Sequence, residues 1–222
     1  MSGHASLNDC FISACKEGDV EKVKAAILLG CDTNCEDGEF HYTGLMWSSG
    51  PVFHMDVLNC ILQHPNVSVN QTTINGETVD VIQVACFYDQ PQVVDLLATF
   101  PGLDVNKRNS KGETAAMIAV GKGHSKCLKA LTKIHGVNLY IKDLMGDTAL
   151  LKAVKKGFLE CVNELTNAPG VDLNVKDKQG NSAVMAALKM DNQSIFQALV
   201  KTPGVDLTTR DCNNKSLEQI AR

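Results

Sequence analysis

Residues 143–174 read DLMGDTALLKAVKKGFLECVNELTNAPGVDLN, and the fold is decided in this stretch. It opens on a turn, Asp143-Leu144-Met145-Gly146-Asp147, whose glycine supplies a backbone position where φ can be positive. Thr148 follows as a cap, its hydroxyl suited to accept from the free N–H groups that begin a helix. The residues after it, Ala149-Leu150-Leu151-Lys152-Ala153-Val154, are small and mostly apolar, which predicts a short helix. Gly157 breaks that helix. A second helix carries the pair Cys161-Val162 and ends at Leu165, and Pro169-Gly170-Val171-Asp172-Leu173-Asn174 closes the segment.

The same order recurs at a spacing of 34 residues in both directions. Thr114, Thr148, Ser182 and Ser216 form one column, and Gly112, Gly146 and Gly180 form another with Asn214 in the fourth place. Ala85, Ala119, Ala153, Ala187 and Ala221 form a third, and Leu97, Leu131, Leu165 and Leu199 a fourth. The neighbouring helix breaks are Gly123 and Asp191, and the neighbouring second-helix pairs are Cys127-Leu128 and Ile195-Phe196. Columns that share one period mark an array of small units, each burying its apolar face only against its neighbours. A 34-residue period also fits the all-helical tetratricopeptide class. That class lacks a turn of the form Asp-x-x-Gly-x-Thr and an exit such as Asp104-Val105-Asn106.

Asp143–Thr148 and Asp177–Ser182, with the exits that follow them, resemble the ankyrin repeat, D-x-x-G-x-T-P-L-H-x-A, then G-x-x-x-x-V-x-x-L-L, then G-A-D-V-N. The resemblance covers nearly the whole chain and implies an all-α solenoid. In it, helix-turn-helix units stack, β-hairpin-like fingers project, and the stack curves around a concave binding face. The expected organisation is one domain over 1–222, with repeats near 6–37, 38–74, 75–108, 109–142, 143–176 and 177–210 and a half repeat at 211–222. The turn that opens the third repeat is two residues longer than the others. Ala115, Ala149 and Ala183 stand where the family has Pro, and Met117, Leu151 and Met185 stand where it has His. That His ties neighbouring turns by hydrogen bonds, so more apolar ties are expected here. Glu218 and Gln219 in the half repeat fit either a polar end cap or a cut from a longer chain.

Composition narrows the function. The chain has 222 residues, 44% hydrophobic and 21% charged, which excludes a disordered chain. The net charge of −4 argues against a general nucleic-acid binder, which needs a basic field. No run of about 18 apolar residues predicts a membrane span. The nine cysteines are odd in number and never spaced as CxxC, and only Cys31 and Cys35 lie close together. No His cluster completes a zinc set, so packing roles and no metal are expected. The polar stretch from Met1 to Asp9 has no signal core, and with unpaired thiols it points to a reducing cytoplasm or nucleus. Gly121-Lys122-Gly123-His124-Ser125 lacks phosphate-loop spacing, and no nucleophile or metalloprotease motif occurs. Neither a cofactor nor a catalytic residue is expected, and the chain is read as no enzyme.

The resemblance implies partner binding through the fingers and the first helices, where the exposed slots lie four, seven and eight residues after the cap. Those slots hold Trp47 in the second repeat and Val84, Phe87 and Tyr88 in the third. With Phe40, His41 and Tyr42 of the second finger, they gather five rings in a chain only 5% aromatic. The fifth repeat offers Lys152, Lys155 and Lys156, the sixth offers Lys189 beside Met190, and the finger between shows Leu144 and Met145. The expectation is a monomeric protein–protein interaction module (adaptor, scaffold or inhibitor) whose partner is a protein or an extended peptide with an acidic portion. No membrane and no direct nucleic acid is expected among its partners. The competing reading is an aromatic cage for a modified or cationic peptide, built from Trp47, Phe87 and Tyr88 with Asp89 or Glu39. The plainer readings are that the rings fill gaps of an irregular repeat and that the lysines solvate a face. Alanine at Trp47 and Tyr88 together is expected to abolish partner capture with little change in melting temperature.

Overall fold

The computed structural model describes residues 6–73 and 78–220. The centre of the long turn before the third repeat and Ala221 of the half repeat lie outside the described residues. Among them the chain forms helices joined by turns, with no strand beyond the isolated bridges Glu36–Thr43 and Arg210–Ser216. It divides into two compact units, Met1–Asp104 and Val105–Arg222.

The first unit holds three helix pairs: α1 (Leu7–Glu17) with α2 (Val20–Leu28), α3 (Gly44–Ser49) with α4 (Met55–Leu62), and α5 (Val81–Phe87) with α6 (Pro91–Leu97). The second holds α7 (Ala115–Lys122) with α8 (Ser125–Leu131), α9 (Ala149–Lys156) with α10 (Leu159–Asn167), and α11 (Ala183–Lys189) with α12 (Gln193–Lys201), then α13 (Leu217–Ile220). Within the first unit α3 packs between α1 and α5, and α2 lies on α4. Within the second unit α9 packs between α7 and α11, α10 lies between α8 and α12, and α13 rests on α11. First helices thus form one layer and second helices another, the order of a helical solenoid.

First helices are enclosed on nearly every side, which is why their sequences are small and apolar. Ala115, Ala116, Met117, Ile118, Ala119 and Val120 are all buried. Second helices bury one stripe, with Cys127 and Leu128, Cys161 and Val162, and Ile195 facing inward. Thr43, Thr114 and Thr148 cap as expected, their hydroxyls accepting from the N–H groups of Met46, Met117 and Leu151 at 3.3, 3.4 and 3.4 Å. Ser182 departs from the expectation: its helix starts at the same place, but the buried hydroxyl makes no cap bond. Serine has no γ-methyl to restrict its χ1 as threonine's does. The break between paired helices is a left-handed residue in four successive repeats, Asp89, Gly123, Gly157 and Asp191. At Gly123 a β-carbon would also come within 3.0 Å of the Phe158 ring, so glycine is required there twice over.

Exit loops are stitched by asparagines. Asn34, Asn70, Asn106 and Asn174 each donate from the side-chain amide to a carbonyl of the next exit loop (Asn66, Gly102, Gly136 and Gly204) at 2.7–2.8 Å. Their carbonyl oxygens accept from the N–H groups of Ser68, Asp104, Asn138 and Asp206 two residues further on. Tyr140 stands at this place in the fourth exit and is exposed.

Candidate interaction surface

The fingers of the second unit are single tight turns held by a buried side chain, Asn109 in the first and an aspartate in the next three, rather than by paired strands. Oδ1 of Asp143 accepts from the N–H groups of Met145 and Asp147, that of Asp177 from Gln179 and Asn181, and that of Asp211 from Asn213 and Lys215. Each turn is closed by a backbone bond, as from the Asp143 N–H to the Asp147 carbonyl at 3.0 Å. The other carboxylate oxygen receives a lysine: Lys152 at 2.8 Å from Asp143, Lys155 at 2.9 Å from Asp177, and Lys189 at 2.9 Å from Asp211. Lys152 also reaches Glu113 at 2.6 Å, Lys155 reaches Asp147 at 2.7 Å, and Lys189 donates to the side-chain Oδ1 of Asn181 at 2.6 Å. Burial alone would raise the Asp143 and Asp177 carboxyls. The Lys152 and Lys155 hydrogen bonds and the finger N–H groups outweigh it and hold both below the usual carboxylate range.

These pairs follow the repeat. Lys155 and Lys189 stand seven residues after their caps and reach forward to the next finger. Gly121 occupies that slot in α7, and there Lys152 reaches back to Asp143 from the following helix, its Cε 3.9 Å from where a Gly121 β-carbon would lie. So Lys152, Lys155 and Lys189 have their ammonium groups engaged by carboxylates of this chain, while Lys156 is exposed. Ion pairs therefore tie neighbouring turns. The residues at the family's His position, Met117, Leu151 and Met185, are buried apolar side chains.

A second column of cations escaped the sequence reading. Arg108, Lys142 and Lys176 each donate to a carbonyl of the next finger, those of Lys142, Lys176 and Arg210, at 3.0, 2.8 and 2.9 Å. Arg210 completes the column and donates to the Asn214 carbonyl. The 34-residue spacing of these four was present in the sequence and would have found them. Between them project Leu144 and Met145, 61% and 71% exposed.

The rings lie in the first unit. Phe40, Tyr42 and Trp47 pack on one another with centroids 5.5–6.3 Å apart. The Trp47 indole N–H donates to Asp37 at 2.8 Å, and the Lys16 ammonium sits 3.0 Å from the same carboxylate oxygen and 4.2 Å from the ring centroid. Trp47 is therefore part of the second finger's own framework. Phe87 and Tyr88 meet edge to face at 5.1 Å and are 42% and 38% exposed, and Phe40 is 49% exposed. Val84 was expected at an exposed slot but is 2% exposed, and Ile118 and Ala186 at the same position are 8% and 5% exposed, because neighbouring helices close over them. Tyr88 lies against Gly50, where a β-carbon would come within 3.1 Å of its ring. The expectation that alanine at Trp47 and Tyr88 spares stability does not survive these contacts.

Among the described residues no three His, Cys, Asp or Glu side chains form a group that could hold a metal. All nine cysteines are free. Burial, reinforced by the Asp32 charge, pushes Cys35 up to about 12, and burial raises Cys15 further, so neither is a ready nucleophile. No helix among the described residues is long and apolar enough to cross a membrane.

The family model described as ankyrin repeats in three copies matches residues 81–177 and 140–211, more than half of the chain. Among solved structures, the ankyrin repeat domain of Bcl-3, described as a unique member of the IkappaB protein family, superposes with a TM-score of 0.83. The match covers 96% of this chain and 93% of that one at 22% identity, a likeness of fold. No curated protein sequence matches the chain.

Proposed function

The chain belongs to the ankyrin repeat family, and from that membership we propose that it is a non-catalytic interaction module that captures a protein partner. It works as a monomer, a single repeat domain in the cytoplasm or nucleus, where nine free thiols are at home. The observation that carries the reading is the exposure of large apolar side chains on fingers and first-helix ends: Phe40, Phe87, Tyr88, Leu144 and Met145. Each keeps 38–71% of its surface exposed after the repeats have packed on one another. Aromatic contact residues such as Phe40, Phe87 and Tyr88 contribute strongly to binding because they bury much area with little rotamer entropy.

The cage reading is the weaker one. Lys16 already lies over the Trp47 ring, and a guest cation would have to displace it. The test is capture from cell lysate by the full chain, wild type beside Phe40→Ala/Phe87→Ala and Leu144→Ser/Met145→Ser, read by mass spectrometry. The module reading expects a partner lost by at least one variant whose melting temperature matches wild type. Identical partner lists for all three proteins would refute it.

A further inference from the structure

The net charge of −4 conceals two opposite halves. Residues 1–104 hold 3 Lys and Arg against 14 Asp and Glu, and residues 105–222 hold 18 against 11. In the second unit the finger aspartates Asp143, Asp177 and Asp211 are buried and paired with lysines. What the fingers turn outward is therefore cationic: Arg108, Lys111, Lys142, Lys176, Lys178 and Arg210 are all exposed. Most of these are held in place by backbone carbonyls, Lys178 for instance donating to Leu144 at 2.7 Å. A carbonyl fixes the position of a cation without cancelling its charge, so the row is ordered and still positive. Leu144 and Met145 project from the middle of it.

We propose that this finger row of the second unit is a docking surface for acidic peptide segments that also carry apolar side chains, a deepening that rests on the reading of the chain as an interaction module. The charge is complementary to carboxylates, and the two apolar side chains are complementary to a hydrophobic residue among them. Stacked helices lie about 8–10 Å apart, and an extended peptide advances about 3.3 Å per residue. Successive fingers thus meet every third residue of an extended guest, which sets the preferred spacing of its carboxylates at i, i+3 and i+6. A nucleic acid would find one exposed ring here, Tyr140 two residues before Lys142, and otherwise aliphatic tips, whereas single-strand binders stack successive bases on aromatic side chains. An anionic bilayer would repel the acid-rich first unit of the same chain.

The test is fluorescence anisotropy with the full chain and a dye-labelled synthetic peptide of about twelve residues with Glu at every third position and Leu between. Saturable binding is expected, weakened about tenfold or more by Lys111→Glu/Lys178→Glu and, with charge untouched, by Leu144→Ser/Met145→Ser. Raising salt from about 50 to 300 mM should weaken it further. No binding, binding by both variants as tight as by wild type, or preference for the matching Lys peptide, for phosphatidylserine vesicles or for single-stranded RNA would overturn the proposal. If the partner captured from lysate is kept by both fingertip variants and lost by Phe40→Ala/Phe87→Ala, this proposal fails while the module reading stands. If no variant loses a partner, the module reading itself fails.

Discussion

Gly121 offers a direct test of the lysine–finger pairing. Seven residues after the cap, α9 and α11 place Lys155 and Lys189, each 2.9 Å from the next finger's aspartate. α7 places Gly121 there, and Asp143 depends on Lys152. Lys152→Met keeps the aliphatic stem but takes the Lys152 ammonium from Asp143, with its side chain 4% exposed, and from Glu113, 17% exposed. Removing one partner of a fully buried pair costs about 3–5 kcal/mol, and of an exposed pair at most about 1 kcal/mol. The Lys152 side chain is 16% exposed, between those limits, so a loss of about 2 kcal/mol is expected, or roughly 4–8 °C in Tm for a chain of this size. Gly121→Lys should then rescue it by presenting an ammonium from the slot that serves Asp177 and Asp211. Gly121→Ala measures the helix-propensity gain alone, about 1 kcal/mol. Beyond that gain, Gly121→Lys should add about 1 kcal/mol in the Lys152→Met background and nothing in wild type, where a second ammonium meets Lys152. Urea denaturation followed by circular dichroism reads all six proteins. Equal increments in both backgrounds, within the ~0.5 kcal/mol of ordinary additivity, would refute the pairing argument.

Trp47→Phe keeps a ring but removes the N–H that Asp37 accepts, and should cost about 1.5–3 kcal/mol, the usual worth of a hydrogen bond to a charged group; a thermal melt unchanged from wild type would return Trp47 to a purely surface role. Asp37, Glu113, Asp143 and Asp177 are all held below their ordinary range, burial being outweighed by lysine and N–H partners. Their contribution is complete above the unfolded carboxyl range, near pH 4, and is lost as pH falls through the lowered folded values. Denaturation midpoints should therefore hold steady from pH 7 to 5 and drop below about 4, the drop being smaller in Lys152→Met. Gly180→Ala should destabilise by about 1–2 kcal/mol because a side chain is forced into left-handed backbone at φ 75°, with its β-carbon 2.8 Å from the Cys212 nitrogen; equal stability by urea titration would contradict the turn geometry.

How much of this was legible in the sequence follows from what must repeat. Core positions recur because every repeat buries its neighbour, so Ala85, Ala119, Ala153 and Ala187, the capping threonines and the inward Cys127 and Cys161 were readable as columns. Exposure was harder. A slot rule treats each first helix alone, but whether a lysine faces solvent depends on a carboxylate far along the chain: Lys189 answers Asp211 and Lys152 answers Glu113, 22 and 39 residues away. Trp47 was harder still, because its finger from Asp37 to Thr43 is one residue longer than those of Asp143–Thr148 and Asp177–Ser182 and offers no second copy to compare.

The charge pattern shows what net composition conceals and the period reveals. An aspartate that anchors a finger is spent inside the molecule, on two N–H groups and one ammonium, so it adds to the acidic count without adding to the surface. A cation bonded to a carbonyl is spent on nothing that cancels it. Summed over 222 residues the two kinds nearly balance, and the sum hides the sign of the charge that a guest meets. Counted finger by finger in the second unit, the outward charge is positive at every repeat. In a molecule built of units that each meet solvent through the same few positions, a guest meets those positions and not the average. The columns of exposed cations are therefore the quantity that should decide which partners this chain accepts.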